Sequence, residues 1–79
     1  MELTLHASYG YLSVVANNIG KITLKVLDTN GRVAKKMCRE IITGVQKFDI
    51  DLADCSNGTY VLNAFNGDIF IKSFKFTKQ

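Results

Sequence analysis

Turn chemistry recurs along this chain about every eight to twelve residues, and between the turns apolar and polar side chains alternate. Period-two alternation is the mark of a strand with one wet face. It is cleanest at Ile22, Leu24 and Val26, set against Lys21, Thr23 and Lys25. It returns at Phe48, Ile50 and Leu52, and again at Tyr60, Leu62 and Ala64. Leu3 and Leu5 share a face of a short first strand, and Leu12, Val14 and Ala16 share a face of the next. Near the end Phe70, Phe74 and Phe76 share parity with Lys72, so the final strand reaches beyond the core or carries a bulge at that lysine.

The turns divide these strands. Asn30-Gly31 and Asn66-Gly67 predict two-residue hairpin loops, whose central positions need positive φ. Asn17 to Gly20 suits a longer hairpin loop, Thr43-Gly44 a tight one, and Ser56-Asn57-Gly58 a turn after the longest connection. Only Arg32 to Ile42, with Val33, Met37 and Ile41 four apart, hints at a helix. An Asn-Gly pair stands immediately before it and no N-cap residue opens it, so it too reads as strand.

At 79 residues there is room for one domain and none for a catalytic barrel or a doubly wound nucleotide fold. Surface scaling lets a chain this short bury roughly 63% of its extended surface, so nearly every apolar residue is needed in the core. With 47% hydrophobic and 22% charged residues the composition is globular. The expected fold is all-β, an immunoglobulin-like antiparallel sandwich of about seven strands spanning 1–79. There is no proline, so its edges must be guarded by lysines and charged turns. Neither an apolar run of membrane-spanning length nor the pattern of a signal peptide is present.

Chemistry is sparse. His6 has parity opposite Leu3 and Leu5, on the wet face, and no nucleophile or orienting acid accompanies it. Asp49, Asp51 and Asp54 could gather round Ca²⁺, but the sequence lacks a glycine-centred loop with a closing Glu, and no metal or cofactor is expected. Cys38 and Cys55 have no metal-ligand spacing and read best as two small buried hydrophobes. The net charge of +3 is a solubility feature rather than a nucleic-acid stripe. Lys72-Ser-Phe-Lys-Phe76 interleaves basic and aromatic residues as single-strand binders do, yet its phenylalanines are wanted in the core. Tyr9 and Tyr11 share a parity and would make a stacking platform for a carbohydrate, the reading an adhesion module requires.

From Gly20 onward the order of features resembles a known family. Ile22-Thr-Leu-Lys-Val-Leu-Asp-Thr-Asn-Gly-Arg-Val33, Phe48-Asp-Ile-Asp-Leu-Ala-Asp-Cys-Ser-Asn-Gly-Thr-Tyr-Val-Leu62 and Lys72-Ser-Phe-Lys-Phe-Thr-Lys-Gln79 are similar to the C-terminal sorting domains of proteins exported by the type IX secretion system of Bacteroidota. Asp28, Gly31, Arg32 and Val33 match its first element, Ile50, Asp51 and Leu52 the second, and Gly58 and Tyr60 the third. Lys72, Phe74, Lys75 and Lys78 match the closing strand. The Tyr-Pro-Asn-Pro-like opening of the family is absent, so the first strand is expected to differ.

The resemblance implies a non-enzymatic signal that directs an attached cargo through the translocon, by way of the periplasm, to release or surface attachment. Its partners would be outer-membrane secretion proteins and a covalently linked upstream cargo, with no nucleic acid and no membrane insertion. It also implies that these residues are the C-terminal module of a larger secreted protein. Recognition in the family is attributed largely to the last strand and tail, here Lys72, Phe74, Lys75, Lys78 and Gln79. Physical roles for the other matched positions are structural: backbone freedom at Gly31 and Gly58, core closure at Leu52, and at Tyr60 a buried ring whose hydroxyl needs a partner.

Overall fold

The computed structural model describes residues 1–79. Seven strands follow the alternation: β1 (Glu2–His6), β2 (Tyr11–Ala16), β3 (Gly20–Leu27), β4 (Val33–Ile41), β5 (Gly44–Asp49), β6 (Gly58–Asn66) and β7 (Ile69–Lys78). A single 3-10 turn, Ala7–Tyr9, is the only helical element. Three strands form one antiparallel sheet in the order β1-β2-β5, and four form the other in the order β4-β3-β6-β7. The segment Arg32 to Ile42 is extended, as its flanking turn signal required.

The apolar faces foreseen by parity point between the sheets with one exception, Phe70, which the irregular pairing in the last strand turns outward against Phe65 instead of onto the face of Phe74 and Phe76. Leu12, Val14, Ile22, Leu24, Val26, Leu62 and Ala64 are fully buried, and Leu3, Ala16, Ile41, Ile50, Tyr60 and Phe76 complete the core. Removing each large aliphatic side chain from water contributes roughly 1.5–3 kcal/mol, which is how so small a core offsets chain entropy. No polar or charged residue is among the buried ones. Half-buried Phe48, Leu52, Cys55 and Phe74 pack around the rim.

Successive strands run in opposite directions, so the connections fall at two ends of a body measuring 35 × 25 × 17 Å. One end carries residues 7–10, 28–32 and 50–57 and the C-terminus; the other carries Met1, residues 17–19, 42–43 and 67–68. Three connections are hairpins within a sheet, and three cross from sheet to sheet. Two of the crossings correct the sequence reading. Asn17–Ile19 and Ile42–Thr43 are not hairpin loops: the strands they join lie in different sheets. Turn residues report that the chain reverses, while which sheet receives the next strand depends on where its apolar face can be buried.

The two Asn-Gly signals also take other forms. The β3–β4 loop carries Gly31 at φ +78, but Asn30 does not have positive φ, and Gly31 N–H donates to the Asp28 carbonyl at 3.0 Å. This is a three-residue hairpin closed by an αL glycine, not a two-residue one. At β6–β7 the paired residues are Asn66 and Ile69, so the two loop residues are Gly67 and Asp68, with Gly67 at φ +61. The strand at Gln46 ends at Asp49 rather than Leu52; the Ile50 N–H instead donates to the Gly10 carbonyl at 2.8 Å. In β7 the pairing steps from Ala64–Lys72 to Phe65–Phe70, a bulge at the place where Lys72 interrupts the apolar face.

Candidate functional site

The loop after β3 is built by Asp28. Its Oδ1 accepts the N–H groups of Asn30 at 2.9 Å and Arg32 at 3.0 Å, an Asx turn that holds the chain while Gly31 takes the left-handed conformation. The Arg32 Nε lies 3.8 Å from Asp28 Oδ2, but the arginine is largely in solvent, so this pair contributes little. Val33, next in the motif, is exposed.

The long connection Ile50–Asn57 crosses between the sheets and is pinned by two lysines from the opposite edges of the larger sheet. Lys78, on β7, donates to the carbonyls of Leu52 at 2.6 Å, Ala53 at 3.4 Å and Cys55. Lys35, on β4, donates to the Asp51 carbonyl and lies 2.9 Å from Asp54 Oδ1. That hydrogen bond holds the Asp54 carboxyl below its ordinary range and raises the lysine above its own. Asp51 Oδ1 accepts the Ala53 N–H at 3.0 Å, and the Cys55 N–H returns to the Leu52 carbonyl. Where the connection enters β6, Gly58 stands at φ +153, and the buried Tyr60 ring stacks on Phe76 while its hydroxyl donates to the Ser56 carbonyl. Lys35 is the residue sequence reasoning missed. Its signal was parity with Met37 and Ile41, an inward-facing lysine that needs an acceptor.

The closing strand β7 lies at the edge of its sheet and is the longest strand in the chain. Its three lysines divide by parity. Lys72, opposite Ala64, turns its ammonium to the Leu3 carbonyl at 3.3 Å, bridging the edges of the two sheets, and lies over the Phe74 ring at 5.0 Å. Lys78 is held as described. Lys75, opposite Val61, points outward and makes no ion pair or side-chain hydrogen bond. Gln79 lies beyond the strand, beside a groove of about 570 Å³ that Tyr9, Leu52 and Lys78 also border.

Beside Lys75 is a shallow depression of about 360 Å³. It is bordered by Asp28 and Gly31 from one turn, Thr59, Tyr60 and Val61 from β6, and Lys75 from β7. Motif positions scattered over 48 residues of sequence, from Asp28 to Lys75, therefore meet on one surface. A family model for the secretion system C-terminal sorting domain matches residues 7–78. The chain belongs to that family. No curated protein matches it. The sorting domain is a signal for export through the type IX system, with secretion or surface attachment as the outcome for the cargo linked to it. A Bacteroidota source fits that family, which is one of sorting signals rather than catalysts. The match begins at Ala7 and leaves β1 outside it.

The remaining candidates resolve into structural roles. Asp51 and Asp54 shape and pin a loop, and no three His, Cys, Asp or Glu side chains are grouped to hold a metal ion. His6 lies on the outer face and stacks on Tyr11 at 4.5 Å between centroids. Lys47 lies over the same Tyr11 ring at 4.7 Å from the other neighbouring strand, so that ring is already flanked. The parity that seemed to join Tyr9 to Tyr11 is broken by the 3-10 turn, and Tyr9 stands alone at 82% exposure. No sugar platform results, and nothing favours the adhesion reading. Both cysteines are free. Cys55 is half-buried against the core, but Cys38 is exposed, contrary to expectation, because it occupies the outer face of edge strand β4 opposite Thr23.

Proposed function

We propose that the sorting domain is read by a protein of the outer-membrane secretion machinery through the outward side of β7 and the depression beside it, while the domain is folded and in transit through the periplasm. The observation that carries this reading is the meeting of Asp28 and Gly31 with Lys75 at that one depression, which the buried Tyr60 supports from the core. Lys75 is the ammonium free to meet an acidic partner, and the unpaired backbone edge of β7 can add a strand to it. Lys72 and Lys78 support recognition indirectly, by fixing the edge they stand on. Phe74 does so from the rim of the core, and Gln79 extends the same strand end. In this reading residues 1–79 form one unit, the C-terminal module of a larger protein.

A reporter carrying a signal peptide and ending in this domain, expressed in a Bacteroidota host with and without the translocon, tests it. Lys75→Glu is expected to reduce translocon-dependent export at least several-fold while leaving the melting temperature of the domain unchanged. Export at the wild-type level by that variant would exclude the outward face of β7 as the surface that is read. Truncation after Ile71 is a poorer test, since it also removes the Lys72 and Lys78 tethers.

A further inference from the structure

Of the ten lysines and arginines, two are ion-paired, Arg32 and Lys35, and three others, Arg39, Lys72 and Lys78, donate to carbonyls. The five that do neither are Lys21, Lys25, Lys36, Lys47 and Lys75, and four of these stand on the outer face of the larger sheet. Lys47 alone is on the smaller sheet. Lys25 alternates with the buried Leu24 and Val26, and Lys36 lies directly opposite it on β4. Asn63 and Ser73 continue that row across β6 and β7, and the next outward position on β7 is Lys75. With strands ~4.8 Å apart and ~3.4 Å between successive residues, Lys25 and Lys75 are roughly 12 Å apart on the sheet. The Lys25 ammonium lies 5.2 Å from the centre of the Phe65 ring, and Lys25, Lys36 and Phe65 border a depression of about 300 Å³. Like charges directly opposite on neighbouring strands destabilise a sheet. The neighbouring pair shows the alternative, since Lys21 stands opposite Glu40. Lys25 and Lys36 thus form a costly pair with no ion pair inside the fold to offset it.

We propose that the recognised surface extends from Lys75 across the outer face of the larger sheet to Lys25 and Lys36, and that its partner is a protein surface whose carboxylates meet all three. The inference rests on the reading that β7 is recognised through Lys75, and it names the chemistry of what recognises it. Charge complementarity of this kind sets which partner is accepted and how fast it is found. Two observations select an acidic protein over an anionic lipid surface. The acids of this face, Glu40 opposite Lys21 and Asp68 beside the Lys25 depression, lie toward the end away from Lys75. A uniformly anionic plane would be repelled there, whereas a protein can present its carboxylates to the lysines alone. The exposed ring of the face, Phe70, also packs edge-on to Phe65 at 5.8 Å within the sheet, and does not project on a loop as a lipid-entering side chain would.

Charge reversal in the reporter precursor tests this. Lys36→Glu sets an acid opposite Lys25 on an exposed edge strand, so it should raise the melting temperature of the domain by about 2 °C or more. The same variant should lower translocon-dependent export at least threefold. A residue with only a structural role would not move stability and export in opposite directions. Lys47→Glu, an equal change of net charge on the smaller sheet, should be exported as wild type is. Export of Lys36→Glu at the wild-type level overturns the proposal: if Lys75→Glu still fails to be exported, the extended surface falls alone, and if both are exported normally the reading of β7 falls with it. An equal loss of export in Lys47→Glu also overturns it, by making the effect one of net charge. Co-sedimentation of the precursor with phosphatidylglycerol vesicles that Lys36→Glu abolishes overturns it as well, by making the occupant a lipid surface.

Discussion

The two ends of the sandwich are held by bonds of different reach. At the C-terminal end, loops are held by directed bonds: the Asp28 carboxylate on two amides, Tyr60 on the Ser56 carbonyl, Lys78 on the carbonyls of a connection made more than twenty residues earlier, and Lys35 on Asp54. At the entry end the connections are shorter, at 17–19, 42–43 and 67–68, and a single nearby amide, that of Gln46, accepts the Ile42 N–H and donates to the carbonyls of Ile42 and Gly44, beside the exposed Ile19 and Ile42. Bonds from distant strands fix the shape of the C-terminal end, the one nearest the depression beside Lys75. The difference teaches that a short crossing needs only a local clasp, while a long one between sheets is held by side chains from both edges of the larger sheet.

Substitutions can break that contrast, and the largest effect is expected at Tyr60. Tyr60→Ala empties a buried aromatic site and should cost about 3–5 kcal/mol in urea unfolding, whereas Phe70→Ala, which removes an exposed ring packed edge-on to Phe65, should cost about 0.5–1 kcal/mol. Equal losses at the two positions would refute the division. Next is Lys78→Met, which keeps the aliphatic stem but removes the ammonium from three carbonyls, of which only that of Leu52 keeps another donor, the Cys55 N–H; roughly 1–2 kcal/mol of stability should go, with faster protease cleavage within 50–57. Smaller again is Tyr60→Phe, where the ring stays and only the hydrogen bond is lost, about 1 kcal/mol by thermal melt.

The smallest effect is that of pH on the Lys35–Asp54 pair. Asp54 is depressed below its ordinary 3.8, so its contribution is complete above that value and is lost as pH falls through the folded one. Lys35 is raised above 10.5, so its contribution is complete below that value and is lost as pH rises through the folded one. Between those limits the pair should add no pH dependence. The urea midpoint of Asp54→Asn should therefore differ from wild type across the neutral range and converge with it in acid. Because Asp54 is largely exposed, salt should shrink the difference.

What the sequence made legible follows from whether the cause is local. Alternation at Ile22, Leu24 and Val26 depends on neighbours two residues away, and all three are fully buried as read. Asp28 and Gly31 are legible for the same reason, since the Asx turn lies within five residues. Three features are not local. Neighbours do not reveal that Asn17–Ile19 crosses to the other sheet, because that choice belongs to the whole core. Lys72 visibly interrupts an apolar face, yet its acceptor is the Leu3 carbonyl, 69 residues away. Lys78 reads as a free cation in sequence and is occupied in the fold, because carbonyl acceptors leave no mark in an amino-acid sequence. Those lysines are the part of the candidate site that only the structure could separate from Lys75.

The Lys78 cradle has a further consequence, for the order in which the protein is made. Lys78 closes a loop whose carbonyls were synthesised more than twenty residues before it, and the strand that carries it completes the larger sheet. The 50–57 connection therefore cannot take its final shape until Lys78 has left the ribosome. A product that stops short of Lys78 lacks the clasp, and limited proteolysis of a chain ended at Thr77 should show the 50–57 connection cut first. The domain thus couples the closing of its longest connection to the laying down of its last strand.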